Sequence, residues 1–140
     1  VVTSTLSTRI DEWIYGRLAA ATVPATNGRR YIDDSAPATV TYPYAQFSML
    51  SGQQMPVLNG TRLWGEYVYI VQAIAQSGTW ASVEAAGDQI YAALHQQTGT
   101  ADSVEIQYCA CEEEIRRAEV EEGGTRFRYL GWRVRIVAVG

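Results

Sequence analysis

Two long alternating runs constrain this chain most. One extends from Arg62 to Gln76, the other from Asp102 to Gly140. Both alternate apolar and polar residues with the two-residue period of a β-strand. The segment between them is helix-like and carries neither a nucleophile nor a ligand cluster. Long strands without a catalytic centre point to a protein that works through its surfaces. In the last run Phe127 and Tyr129 share one parity, while Trp132, Val134, Ile136 and Ala138 take the other. Keeping that stripe on one face requires a one-residue slip of register, and Gly131 stands where a β-bulge would supply it. Arg126, Arg128, Arg133 and Arg135 are then expected on the opposite face.

The remaining elements follow from periodicity and breakers. Thr5-Leu6-Ser7-Thr8 offers hydroxyl caps, with Asp11 and Glu12 placed in the first turn of a helix to about Ala21. Ile10, Trp13, Ile14 and Leu18 form its apolar face. The stretch from Thr22 to Pro43 holds Pro24, Pro37, Pro43 and Asn27-Gly28, and reads as a long loop. Tyr44 to Leu50 alternates as a half-buried strand, and Ser51 to Gly60 reads as a second loop. In the Arg62–Gln76 strand one parity carries Tyr67, Tyr69, Val71 and Ala73, the other Trp64, Val68, Ile70 and Ile74. A strand apolar on both parities needs cover on both faces. Thr79 is placed to cap a second helix that buries Trp80, Val83, Ile90 and Leu94, with Gly87 allowing close approach and Gly99 as its stop. Val104, Ile106, Tyr108 and Ala110 are expected to form one face of a third strand, and Glu121-Glu122-Gly123-Gly124 to turn into the fourth. The order predicts an α+β fold: a four-stranded, mainly antiparallel sheet with two helices packed on one face.

Composition narrows the function. With 140 residues, 47% hydrophobic and 19% charged, the chain fits one globular domain. The formal charge of −4 argues against general nucleic-acid affinity. No apolar run reaches membrane-span length, and the first residues lack the layout of a signal peptide. Cys109 and Cys111 lie two apart on one strand face, a poor geometry for a disulfide, and are expected as free thiols in a reducing interior.

The chemistry-bearing residues do not assemble into a motif. His95 is the only histidine, expected exposed near a helix C-terminus, and no nucleophile elbow accompanies it. His95 with the two cysteines lacks the paired spacing of a zinc site. Adjacent carboxylates in Asp33-Asp34 and Glu112-Glu113-Glu114 point to opposite faces if extended, so they read as solvated charge. The C-terminal arginines are expected to pair with Glu105, Glu112, Glu114, Glu119 and Glu121 across strands. No catalytic residue, cofactor or metal is assigned.

This layout resembles the tail terminator, or tail completion, proteins of long-tailed bacteriophages. The resemblance runs from the N-terminal helix through the proline-rich entry Tyr42-Pro43-Tyr44-Ala45-Gln46-Phe47 and the strand ending Gln72-Ala73-Ile74-Ala75-Gln76-Ser77. It continues through the helix Val83–Leu94 to the closing strands ending Trp132-Arg133-Val134-Arg135-Ile136. The crossover Thr22–Tyr42 and the acidic Glu112–Glu122 hairpin are longer than the family pattern. The resemblance implies a virion protein at the head–tail neck, assembled in the host cytoplasm. It would form a usually hexameric ring that caps the tail tube protein and joins the head connector or head-closure protein. Such a ring has no membrane partner and no sequence-specific nucleic acid.

Two expectations go with it. Tyr67, Tyr69, Val71 and Trp132 are the interface candidates, on the premise that the Tyr67–Tyr69–Val71 stripe lies on the helix-free face and would be bare in a monomer. Glu112, Glu113, Glu114, Glu119, Glu121 and Glu122 are the candidates to line a lumen through which DNA slides without sticking. Alternative readings are another neck component, a head-closure or tube-like protein, or a small α+β enzyme or ligand-binding domain with its pocket at Tyr67, Tyr69 and Trp132.

Overall fold

A computed structural model describes residues 6–56 and 63–140 of the chain. Helix α1 spans Leu6–Arg17, strand β1 Arg30–Ile32, β2 Tyr44–Pro56, β3 Leu63–Ala75, helix α2 Ala81–Leu94, β4 Gly99–Ala101, β5 Val104–Val120 and β6 Arg126–Val139. The α+β class stands, but the sheet has six strands rather than four, in the order β1-β2-β3-β6-β5-β4. The two extra strands are short edges. β1 lies within the stretch read as a loop and pairs parallel to β2 through Arg30–Ala45 to Ile32–Phe47. β4 begins at Gly99, which therefore opens a strand instead of stopping a helix. β2 also runs on to Pro56, through residues expected in a loop. Three-residue strands carry too little pattern to be read from periodicity.

Both helices pack on one face. Leu6, Ile10, Trp13 and Ile14 recur at helical spacing and are buried in α1. Each such buried side chain contributes roughly 1.5–3 kcal/mol. The helix starts at Leu6, which puts Asp11 and Glu12 beyond its first turn; Thr5 lies outside the described residues. It ends at Arg17, sooner than expected, where the Arg17 guanidinium donates to the Ala93 carbonyl at 2.9 Å. That cation sits at the C-terminal end of α2, where it suits the helix dipole. In α2, Val83, Ala86, Gly87, Ile90, Ala93 and Leu94 are buried, while Trp80 rather than Thr79 occupies the N-cap without a side-chain bond. A Cβ on Gly87 would come within 2.7 Å of the Leu130 side chain, so this glycine does admit the helix to the sheet. No helix among the described residues is long and apolar enough to cross a membrane.

The sheet centres on the β3–β6 seam, which holds one register from Trp64–Val139 to Ala75–Arg128. β6 has no bulge against β3, contrary to the slip expected at Gly131. Gly131 is needed for proximity instead: a Cβ there would lie 2.2 Å from the Val71 carbonyl oxygen and 2.4 Å from the Gln72 Cα. The irregularities fall on the outer strands, between Met49 and Ser51 in β2 and at Gln107 and Glu112 in β5. Because β6 keeps its register, Phe127, Tyr129, Arg133 and Arg135 share the face away from the helices. Trp132, Val134, Ile136 and Ala138 face the helices. Arg126 and Arg128 join the helix side, which splits the expected arginine row. Arg128 donates to the Gly78 carbonyl at 2.9 Å and sits 5.3 Å from the Trp80 ring.

Candidate functional site

The face chosen for assembly is the covered one. Tyr67, Tyr69 and Val71 point under the helices, with relative exposures of 2%, 0% and 0%, and belong to the core with Ala73 and Ala75. The bare stripe expected from sequence does not exist. Two features seat it. The Tyr67 ring lies across Gly52 and Gly65, where an added Cβ on either would come within 2.5 Å of a ring carbon. The Tyr69 hydroxyl donates to Asp11 Oδ1 on α1 at 2.5 Å, satisfying the polar tip of a buried tyrosine. Burial raises the Asp11 carboxyl above the ordinary carboxylate range, reinforced by Asp33 and Glu12 and opposed by the Tyr69 bond. Burial likewise pushes the Tyr69 phenol well up. The seat imagined for a ligand at Tyr67 and Tyr69 is thus filled by α1. Trp132 lies apart from them, half-buried, with its indole N–H donating to the Gly87 carbonyl at 3.0 Å and its ring 4.8 Å from that of Tyr91.

The opposite parity forms the helix-free face. β3 contributes Trp64, Glu66, Val68, Ile70, Gln72 and Ile74 to it; Phe127, Tyr129, Arg133, Arg135, Val137 and Val139 join from β6. The chain covers one end of this face itself. Tyr42 packs on Tyr44 and Phe127 with ring centroids 5.5 and 5.9 Å away, and Tyr31 meets Tyr44 at 5.6 Å. Phe127 and Ile74 are buried there. At the other end Arg135 holds two carboxylates, Glu66 and, at 3.0 Å, Glu112. A shallow hollow of about 410 Å³ opens beside them, lined by Ser51, Gly52, Gln53, Glu66, Val68 and Arg135. Sequence reasoning passed over Glu66 and Gln72, although a carboxylate and an amide on the Trp64 parity mark that side as the solvated one.

The six lumen candidates lie on or beside the β5–β6 hairpin but do not act as one group. Glu112 sits at a bulge and is held by Arg135. Glu119 lies 3.8 Å from Arg117, whose guanidinium also stacks on Tyr129. Glu113, Glu114, Glu121 and Glu122 are exposed. Glu113 and Glu114 pair with Arg133 and Trp132 and so point to opposite faces.

The groups able to do chemistry are engaged elsewhere. His95 is half-buried rather than exposed: its Nδ1 accepts the Cys111 N–H at 3.1 Å, and its ring stacks on Tyr91 at 4.5 Å. Cys109 and Cys111 are free and buried, and burial pushes both thiols up to about 12. Among the described residues no three of His, Cys, Asp and Glu converge as metal ligands would.

No protein-family model and no curated protein matches this chain. Among solved structures, its fold is similar to that of a chain in the virion of a native gene transfer agent particle. The TM-score is 0.73 at 15% identity, and the match covers 99% of this chain and 100% of that one. This chain therefore shares its fold, from end to end, with a chain found in a virion particle.

Proposed function

We propose that the protein is a structural subunit of a virion, of the tail-terminator type that its sequence resembles. It would stand as a hexameric ring at the head–tail neck, cap the tail tube to stop its polymerisation, and join it to the head connector. The end-to-end fold likeness to a chain of a virion particle carries this reading. The state of the reactive groups supports a non-enzymatic role: His95 is tied to β5, and the thiols are buried, which pushes both up to about 12. With Tyr67, Tyr69 and Val71 in the core, ring contacts fall to the helix-free face, the sheet edges and the half-buried Trp132. Of Glu113 and Glu114 only the one on the inward face can line the lumen; it and the turn residues Glu121 and Glu122 remain the candidates, since none is held in an ion pair by a described residue. A carboxylate lining would repel phosphates and let a duplex slide.

The test is to purify particles from the producing host and quantify the chain by mass spectrometry. We expect it at the low copy number of a single ring, and expect loss of its gene to give headless tails of unregulated length. Particles that lack the chain, or normal particles without the gene, would refute the proposal.

A further inference from the structure

We propose that the uncharged outer edge of β2, from Ser48 to Met55, binds a second copy of this chain along the outer edge of that copy's β5, from Glu113 to Val120. The inference deepens the ring reading above and rests on it for the head-to-tail arrangement.

The first observation concerns what covers each edge. β1 pairs only with Ala45, Gln46 and Phe47, and Asp33 N closes onto the Phe47 carbonyl at 2.8 Å. Beyond Phe47 no backbone hydrogen bond from a described residue reaches the outer side of β2. That stretch is about 26 Å long at 3.3 Å per residue. It carries no charge, and it exposes Met49 (46%), Leu50 (53%) and Met55 (39%). Monomeric proteins blunt such edges with charge, proline or cover. Leu50 is the unpaired residue of the bulge and is exposed, an apolar side chain where a guarded edge would place a charge.

The second observation is the state of the other edge. β4 pairs with Val104, Glu105 and Ile106. The turn after α2 then closes two more positions: Gln96 N donates to the Cys109 carbonyl at 2.8 Å, and His95 accepts from Cys111 N. From Glu113 to Val120 the outer side of β5 is open among the described residues.

Direction and offset make the two open stretches complementary. β2, β3, β6 and β5 alternate in direction, so the two outer edges run antiparallel. Copies related by rotation alone therefore bring β5 of one beside β2 of the next as an antiparallel pair. The open stretches also lie at opposite ends of the sheet. β2 is open beside the Trp64–Ile70 end of β3, and β5 is open beside the Arg126–Arg133 end of β6. Docking them staggers successive copies along the strands, which is the shear that tilted strands use to close a ring. The charges favour this match over self-pairing. Two β5 edges laid antiparallel about Arg116 would set Arg116 against itself and Glu113 against Glu119, whereas Ser51 and Gln53 bring no like charge.

The experiment uses the full chain with Gln53→Cys and Arg117→Cys, separately and together, treated with a short flexible bis-maleimide at millimolar protein. Both positions face the helix-free side, and the native thiols are buried. We expect a ladder of covalent multimers from the chain carrying both substitutions and only monomer from each alone, with native far-ultraviolet circular dichroism throughout. Dimers from Gln53→Cys alone would mean two-fold β2 pairing and overturn the proposal, as would a double variant that stays monomeric. Leu50→Glu should weaken self-association in sedimentation at least roughly tenfold, by desolvating a charge at the contact; an unchanged constant would overturn it too. If the chain is found in particles but gives no ladder, this interface fails and the virion reading stands. A ladder from a chain absent from particles gives the reverse.

Discussion

Replacing Tyr69 by Phe removes one oxygen from the core and leaves the ring in place, which isolates the 2.5 Å bond to Asp11. Hydrogen bonds to charged groups contribute about 1.5–3 kcal/mol. Asp11 reaches solvent in part, and water can replace some of what Tyr69 supplies, so we expect Tyr69→Phe to cost about 1–2 kcal/mol. Asp11→Ala should cost a similar about 1–3 kcal/mol for a different reason: it strands a hydroxyl whose residue has no exposure. In the double variant neither penalty recurs, so a cycle should return a coupling near 1 kcal/mol. Urea unfolding at pH 7 followed by tryptophan fluorescence reads all four species. The pH dependence supplies a second check. The Tyr69 bond favours the ionised carboxyl, so the difference between wild type and Tyr69→Phe should shrink as pH falls through the Asp11 pKa. Burial holds that pKa above the ordinary value of 3.8. The native state therefore takes up this proton first, and the group's own contribution to stability is lost as pH rises through its folded pKa. A Tyr69→Phe variant within about 0.3 kcal/mol of wild type at pH 7 would refute the claim that this bond seats α1 on the sheet.

Three further outcomes are expected. Tyr67→Asp buries a carboxylate beneath α1 and should abolish the cooperative unfolding transition; a folded variant by circular dichroism would return this residue to the surface. Gly131→Ala must displace backbone at Val71 and Gln72, and should cost about 1–3 kcal/mol in urea unfolding; a neutral substitution would mean that the β3–β6 spacing is looser than described. Cys109 and Cys111 should resist alkylation at pH 8 until denaturant is added, because burial holds both thiols protonated up to about 12; labelling at the rate of a free thiol would contradict their burial.

The long elements were legible because their periods persist. α1, α2 and the four long strands each repeat a pattern often enough to identify, and Gly87 was readable as a packing glycine. Choosing the face was harder. With Tyr67 and Val68 both apolar, periodicity alone could not say which parity meets the helices. The deciding residues were Gly65, Ala73 and Ala75, small and on the Tyr67 parity, against Glu66 and Gln72 on the other. Small residues make room for a helix, and polar ones mark water. Gly131 misled for a related reason: a glycine in a strand marks either a bulge or a close approach, and only the partner strand distinguishes them. The three-residue edges and the Tyr42 cover over Phe127 have no local signature, since they arise from contacts distant in sequence.

The seam between β3 and β6 also sets how this chain must fold. The β2–β3 and β5–β6 hairpins each join strands adjacent in sequence and can close early at low entropic cost. The seam pairs Trp64 with Val139 and Ala75 with Arg128, so its shortest loop already contains all of α2, β4 and β5. Such non-local pairings are slow to form. The expected order is two hairpins first and their docking last, with α2 lying on both halves as they meet. Substitutions within either hairpin should then change the folding rate most, and those along the late-forming seam chiefly the unfolding rate.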